Sequence, residues 1–198
     1  MSFTGDNTFS NFDEINQKYK IIYADLPLTY NDLATSGKRG VKYKYPTMSI
    51  EDLSNLPVDK IAADNCILFM WGTWTHTKEI QYVIESWGFT YKTVGFVWVK
   101  KYSNGKNVIG MGSYTRANTE YCLIATKGRP KRIDAGIRQV IESIPEGHSK
   151  KPDETRTRIV ELMGDLSKIE LFGRVKVPGW DVFGNDVKLL NQPVRAFC

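Results

Sequence analysis

The chain of 198 residues has few cysteines and few histidines, and neither type is spaced as a metal site or a disulfide framework. Cys66, Cys122 and Cys198 lie far apart and form no Cys-x-x-Cys pair. His76 and His148 do not stand at zinc-ligand distance from a cysteine, and a catalytic Cys–His pair has no supporting feature. These absences predict a reduced cytoplasmic protein without a metal ion.

Long apolar runs and a strong charge of one sign are also missing. No stretch approaches about 18 uncharged apolar residues, and the chain does not begin with a basic segment followed by an apolar one. We therefore expect neither a membrane span nor a secretion signal. The 27 Lys and Arg residues exceed the 22 Asp and Glu residues by five, which fits a polyanionic partner without demonstrating one.

Apolar runs alternate with amphipathic segments, and this rhythm predicts an α/β fold. Helices are predicted after Ser49, over Thr75–Trp87 and over Asp153–Met163, the last two stopped by a glycine. Six strands are predicted, at Lys20–Asp25, Cys66–Trp71, Thr90–Lys100, Glu120–Thr126, Lys168–Phe172 and Gly179–Phe183. Strands that alternate with helices indicate a mostly parallel sheet with helices on both faces. Four tryptophans in these patterns are expected in the core: Trp71, Trp87, Trp98 and Trp180.

Three long segments without a strand or helix pattern hold much of the positive charge. They are Asn31–Lys44, Lys101–Ala117 and Arg129–Lys150, which we expect to be loops. Two interpretations of their charge stay open at this stage. They are a surface that binds a polyanion, or ordinary solvated loops.

Ligands in α/β sheets bind at the carboxyl ends of strands, which draws attention to three places. Asp25, Gly72-Thr73 and Gly173-Arg174 each follow a predicted strand. The chain has no G-x-G-x-x-G, no P-loop and no G-x-S-x-G motif. A dinucleotide site, a P-loop phosphate site and a hydrolase triad therefore lack support.

Ten short motifs occur in an order that resembles one family. They are ADLP at Ala24–Pro27, YPTMS at Tyr45–Ser49, LFMW at Leu68–Trp71, WGFT at Trp87–Thr90, WVK at Trp98–Lys100, RANTE at Arg116–Glu120, KGRP at Lys127–Pro130, KPDE at Lys151–Glu154, IELFGR at Ile169–Arg174 and GWDVFGN at Gly179–Asn185. The chain resembles the adenine-N6 methyltransferases related to the catalytic subunit of the mRNA adenosine methyltransferase, in their short bacterial and phage branch.

The resemblance covers a core of about residues 20–187 within one domain, 1–198. It implies a Rossmann-like, S-adenosylmethionine-dependent methyltransferase in the cytoplasm of a bacterium or a phage-infected cell. It also implies a permuted motif order, in which the catalytic loop comes early in the chain and much of the cofactor site comes late.

The chemistry of the family centres on an Asp-Pro-Pro-Trp loop. The loop accepts hydrogen bonds from the adenine amine, localises its lone pair and aims it at the methyl donor. Here the loop is Asp25-Leu26-Pro27-Leu28, so the acid is kept while rigidity worth about 1 kcal/mol and stacking worth about 1–3 kcal/mol are lost. We expect a working or weakened enzyme. Another aromatic, such as Tyr30 or Tyr45, is a candidate for the missing stacking.

The resemblance also assigns roles to residues outside this loop, although packing, salt bridges and turns explain the same residue types. The residues implied in substrate binding are Tyr45, Glu120, Tyr30, Lys38, Arg39 and Arg116. The residues implied in cofactor binding are Asn7, Lys151, Glu170, Arg174, Asn185 and Asp186. No residue is assigned to a metal.

The function that we expect is methyl transfer from S-adenosylmethionine to adenine N6 in nucleic acid, with DNA preferred over RNA. One alternative is a non-catalytic nucleic-acid-binding subunit that supports an active partner. Another is methylation of a protein amide or a small molecule. A homodimer or heterodimer fits either nucleic-acid hypothesis, because the chain has no separate target-recognition domain.

Overall fold

The computed structural model describes residues 3, 5–28, 47–112, 114–146, 150–184 and 188–189. The helices of these ranges are α1 (Ile50–Ser54), α2 (Val58–Ile61), α3 (Thr77–Ser86) and α4 (Glu154–Met163). The strands are β1 (Thr8–Phe9), β2 (Tyr19–Asp25), β3 (Ala62–Gly72), β4 (Thr90–Lys100), β5 (Thr119–Lys127), β6 (Val140–Ser143), β7 (Lys168–Leu171), β8 (Val175–Lys176), β9 (Asp181–Phe183) and β10 (Lys188–Leu189).

Eight of these strands form one sheet in the order β1-β9-β7-β2-β3-β5-β4-β6. β2 lies at its centre, parallel to both β3 and β7. β5 is antiparallel to both of its neighbours, β3 and β4, whereas the other strands of this sheet share one direction. The predicted mostly parallel sheet is confirmed. The sequence pattern did not indicate that the fourth predicted strand runs in the opposite direction.

The central strands are buried on both faces because nearly every side chain in them is apolar. On one face, Ile22 and Leu68 belong to a core cluster that includes Leu53 of α1 and Ile80 of α3. On the other face, Ile21, Tyr23 and Phe69 pack in a second cluster with Ile159 and Met163 of α4. Alternate residues of one strand thus face different helices, and the predicted helical layers on both faces are confirmed. The four tryptophans expected in the core are at most 3% exposed.

The helix boundaries follow local signals in the sequence. Ser49 caps α1, where its side-chain oxygen accepts a hydrogen bond from the backbone N–H of Asp52 at 3.0 Å. Gly164 ends α4 at a φ of 85°, which glycine adopts without strain. Both signals were read from the sequence, and the structure confirms them. None of the helices in the described ranges is long and apolar enough to span a membrane.

One prediction about the basic segments was wrong. Within Arg129–Lys150, expected to be a loop, residues Val140–Ser143 form β6 at the edge of the sheet. The strand contributes one buried apolar side chain, Ile141, so its sequence pattern is too short to identify. Backbone pairing with β4, in the register Trp98 to Ile141, holds it in place.

Candidate active site

Residues that are far apart in sequence meet where the parallel strands end. Asp25 is the last residue of β2 and lies beside Trp71 of β3. Because β5 runs the other way, its beginning reaches this same edge, and Glu120 pairs there with Trp98 of β4. The carboxyl end of β4 contributes Lys100. The reversed strand therefore brings a second carboxylate to the edge at which ligands bind in such sheets.

Two carboxylates and two lysines alternate in a chain of ion pairs, which we call the charged chain (Asp25, Lys151, Glu120 and Lys100). Lys151 Nζ lies 2.8 Å from Asp25 Oδ2 and 3.3 Å from Glu120 Oε2. Lys100 Nζ lies 2.5 Å from Glu120 Oε1. The Lys151 side chain is 9% exposed and that of Glu120 is 13% exposed, whereas that of Asp25 is 30% exposed. Of the two carboxylates in the charged chain, that of Asp25 is thus the more accessible to an incoming group.

Lys151 and Glu120, the two most buried members of the charged chain, have pKa values shifted toward their ionised forms. Burial opposes the charge on Lys151, but Asp25 and Glu120 outweigh it and raise the pKa of the ammonium group. Burial also acts against the charge of Glu120, yet Lys151 and Lys100 together hold the pKa of this carboxyl below its usual value. The site is therefore a fixed arrangement of opposite charges.

Aromatic side chains lie beneath the charged chain on the α4 face. Lys151 Nζ lies 5.9 Å from the centre of the Trp71 ring, and Lys100 Nζ lies 4.9 Å from that of Trp98. The two indoles meet edge to face at 6.5 Å. Trp71 Nε1 donates a hydrogen bond of 2.7 Å to the buried Tyr23 hydroxyl. The two rings add to the attraction that holds these lysines at the site, because ammonium groups are attracted to aromatic faces.

The two leucines of the predicted catalytic loop are packed into the core. Leu26 is 8% exposed and Leu28 is 6% exposed, and both join the core cluster on the α1–α3 face. The Leu28 N–H donates to the Leu26 carbonyl at 2.9 Å, and the Met48 N–H donates to the Pro27 carbonyl at 2.8 Å. The loop is therefore held by its backbone as well as by Pro27, while the leucines lie away from the charged chain.

Glu170, predicted to bind the cofactor, forms a buried ion pair. Both of its carboxylate oxygens accept hydrogen bonds of 2.8 Å from the Arg156 guanidinium. The Arg156 guanidinium also lies 5.6 Å from the centre of the Tyr23 ring. Burial raises the pKa of Glu170, and Arg156 opposes that shift. The pair ties α4 to β7 and so fixes the helix that follows Lys151.

The remaining cofactor predictions within the described residues have different positions. Arg174 is exposed just beyond the carboxyl end of β7, the strand next to β2. Before it, Phe172 has a φ of 64°, a strained conformation for a residue other than glycine that is concentrated at functional sites. Asn7 precedes β1, three strands from β2, and its backbone N–H donates to Asp181 Oδ1 at 2.7 Å. The structure brings Arg174, but not Asn7, to the edge of the sheet at which Asp25 lies.

Arg116, predicted to bind substrate, is exposed a few residues before β5 and therefore near the same edge. Several other predicted residues lie outside the described residues: Tyr30, Lys38, Arg39, Tyr45, Asn185 and Asp186. Among the described residues, no group of three or more His, Cys, Asp or Glu is placed to hold a metal ion.

Three side chains of this region were not predicted from the sequence as part of the site: Lys100, Arg156 and Trp74. Lys100 ends a predicted strand, so the rule that ligands bind at carboxyl ends was sufficient to find it. Arg156 had no such signal, because its partner Glu170 lies on a different element of the fold. Trp74 lies two residues beyond the end of β3, in a short 3-10 turn, Trp74–His76.

A mostly parallel sheet with a partly exposed, lysine-bound acid at the end of its central strand is the arrangement of an α/β enzyme. The chain belongs to the MT-A70 family of methyltransferases, whose sequence model matches residues 19–186. This family membership confirms the resemblance that the ten motifs indicated.

Named relatives support the same assignment. The chain is 36% identical to a Type II methyltransferase, M.MunI, of a Mycoplasma species, over 86% of this chain and 78% of the relative. It is 30% identical to the N(6)-adenosine-methyltransferase MT-A70-like of Arabidopsis thaliana, over 77% of this chain but 23% of the relative. It is 27% identical to the human N(6)-adenosine-methyltransferase catalytic subunit METTL3, over 90% of this chain and 30% of the relative. The chain thus spans under a third of these two larger relatives.

Proposed function

We propose that this protein transfers a methyl group from S-adenosylmethionine to N6 of adenine in nucleic acid. The observation that carries the proposal is Asp25 at the end of β2, held through Oδ2 by Lys151 and still 30% exposed. We place DNA before RNA as substrate. The relatives named for adenosine extend far beyond the matching region, whereas the Type II methyltransferase is matched over 78% of its length.

The amine of adenine is a weak nucleophile because its lone pair is delocalised into the ring. An acceptor that binds the N–H groups returns electron density to nitrogen and orients the lone pair. Within the described part of the chain, Lys151 donates to Oδ2 of Asp25, and no residue donates to Oδ1. In this proposal Oδ1 accepts one N–H, and the Leu26 carbonyl, which has two lone pairs and already accepts the Leu28 N–H, accepts the other.

The donors at this edge fit a cofactor that carries a carboxylate and ribose hydroxyls. Lys151 and Arg174 supply cationic donors, and α4 directs its amino end toward the same edge. We assign these two residues to the cofactor, while Glu170 is committed to Arg156 and fixes α4. S-adenosylmethionine, when bound, supplies a methyl group on a sulfonium. The acceptor comes early in the chain and the cofactor residues late, which is the permuted order.

The test is transfer of tritiated methyl from S-adenosylmethionine to duplex DNA, single-stranded DNA and RNA. We expect incorporation into DNA and a loss of at least about 100-fold in Asp25→Asn, since one aligned electrostatic contact contributes about that much. Asp64→Asn is the matched control, because Asp64 is an exposed carboxylate near the opposite end of β3. Equal incorporation by both variants on every substrate would remove Asp25 from the mechanism.

The burial of Leu28 favours a second candidate, a nucleic-acid-binding subunit without turnover. An aliphatic side chain inside the core offers no ring for a base at that position. This candidate predicts salt-dependent binding of DNA or RNA without methyl transfer by the isolated chain. If the isolated wild-type protein transfers methyl groups and Asp25→Asn does not, the result favours the enzyme over the non-catalytic subunit.

A further inference from the structure

One tryptophan differs from the rest in its exposure. All five tryptophans lie in the described part of the chain, and four of them are at most 3% exposed. Trp74 is 53% exposed. An exposed indole leaves a large apolar surface in water, which ordinary core packing does not require.

Trp74 is nevertheless held in one orientation. Its ring packs on Tyr121 with centroids 4.6 Å apart and an interplanar angle of 58°. Its Nε1 donates a hydrogen bond of 2.9 Å to Thr119 Oγ1. Beneath it, the Tyr121 hydroxyl donates to Thr77 Oγ1 at 3.0 Å, and Thr77 Oγ1 donates to the Trp74 carbonyl at 3.0 Å. The exposed part of the indole is thus a surface fixed in advance, so that binding loses little side-chain entropy.

The position of Trp74 relates it to the candidate active site. It follows β3, whose Trp71 lies beside Asp25, and its partner Thr119 directly precedes Glu120 of the charged chain. Tyr121, on which the indole rests, belongs to the same core cluster as Leu26 and Leu28. Trp74 therefore lies at the catalytic edge, on the face of the sheet where the loop has lost its aromatic side chain.

We propose that Trp74 is a stacking platform for an unpaired nucleobase of the substrate strand. This inference rests on the proposed function and adds a residue that binds its substrate. Proteins that bind single-stranded nucleic acid stack its bases on flat aromatic side chains of this kind, and any base can stack because every base has a π face. Arg116, exposed a few residues before Thr119, supplies positive charge suited to the phosphates. A base flipped from a duplex presents the same surface as one in a single strand.

The first test is binding of fluorescently labelled single-stranded DNA, measured by anisotropy at several salt concentrations. Trp74→Leu is expected to weaken binding by about 5- to 150-fold, and Trp74→Phe, which keeps a ring, is expected to bind much closer to the wild type. The slope of log K against log salt should not change, because no phosphate contact is removed. Tyr91→Leu is the matched control, since Tyr91 is 39% exposed at the opposite end of the sheet.

The second test uses the indole itself. Unlabelled single-stranded DNA should quench the tryptophan emission of the wild-type protein, because the one exposed indole is the proposed contact. The quenching should disappear in Trp74→Phe, whose remaining tryptophans are buried. Circular dichroism establishes that each variant is folded. Binding by Trp74→Leu within twofold of wild type, quenching that persists in Trp74→Phe, or equal losses in the Leu and Phe variants would each overturn the inference.

These measurements separate the inference from the function on which it rests. Wild-type protein that binds DNA with quenching but transfers no methyl group would refute the proposed function and leave the stacking contact supported. Wild-type protein that transfers methyl groups, with Trp74→Leu equal to it in both affinity and KM, would support the function and refute the contact. We expect the loss in Trp74→Leu to appear mainly in KM.

Discussion

Replacing Lys151 by methionine is the sharpest test of the charged chain. The side chain is 9% exposed and contacts both Asp25 and Glu120, so its removal leaves two carboxylates without their shared cation. Removing one partner of a buried pair costs about 3–5 kcal/mol. Asp25 is partly exposed to water and Glu120 keeps a second cation, Lys100, so we expect a cost at the lower end of that range, about 3 kcal/mol. For a domain of this size that corresponds to a decrease in Tm of about 6–12 °C.

The neighbouring lysine provides the control for this substitution. Lys150 is 40% exposed and pairs with Glu146 and Asp153, which are 72% and 63% exposed. Solvent screens these pairs, so Lys150→Met should change stability by about 0–1 kcal/mol. Thermal unfolding of the two variants and the wild type at pH 7, followed by circular dichroism, measures the difference. Equal Tm values for Lys150→Met and Lys151→Met would refute the reasoning, because the charged chain would then contribute nothing beyond a surface pair.

The pH dependence of stability gives this prediction a second readout. Although burial acts against it, the two lysines hold the pKa of Glu120 below its usual value. A lowered pKa in the folded state gives stability that is present above the unfolded value of about 4.3 and is lost as pH falls through the folded value. In Lys151→Met the folded pKa of Glu120 should rise toward the unfolded value, so the stability that Glu120 loses on acidification shrinks, and Tm should fall less between pH 7 and pH 3 than in the wild type.

Three further substitutions test the structure around the site. Arg156→Met leaves Glu170 buried without its cation and should cost about 3–5 kcal/mol in urea unfolding, part of which returns when Glu170→Gln is added. Gly173→Ala places a Cβ in a steric clash with Val182 Cγ2 and should lower stability by about 1–3 kcal/mol, measured by thermal unfolding. Leu28→Trp should lower Tm by overpacking the core instead of restoring a stacking surface, and a methyl-transfer assay beside the melting curve checks this.

Most of the strands and helices could be predicted because their signals are local. Thr90–Lys100 was predicted and observed with the same boundaries, and the cap at Ser49 was identified from its side-chain type and spacing. These features depend on residues a few positions apart, which the sequence displays directly. β6 could not be predicted, because its stability comes from pairing with β4 and not from its own pattern.

The residues of the candidate site also divide into those that local sequence signals predict and those that only the fold brings together. Asp25 was found because a carboxylate at the end of a buried strand is visible in the sequence. Glu120 was named from the resemblance alone, since a residue that begins a strand lies at the wrong edge of a sheet whose strands all run one way. The link between these acids through Lys151 depends on three separate elements of the fold.

By itself, the sequence determined the alternation of strands and helices, the apolar core and the acid at the end of the central strand, since each follows from residue type and short-range period. Tertiary structure decided the direction of β5, the pairing of Lys151 with two carboxylates, the burial of Leu28 and the exposure of Trp74. The physical reason is that strand pairing, ion pairing and burial are set by which elements become neighbours in space, and sheet formation makes neighbours of residues as far apart in the chain as Asp25 and Lys151.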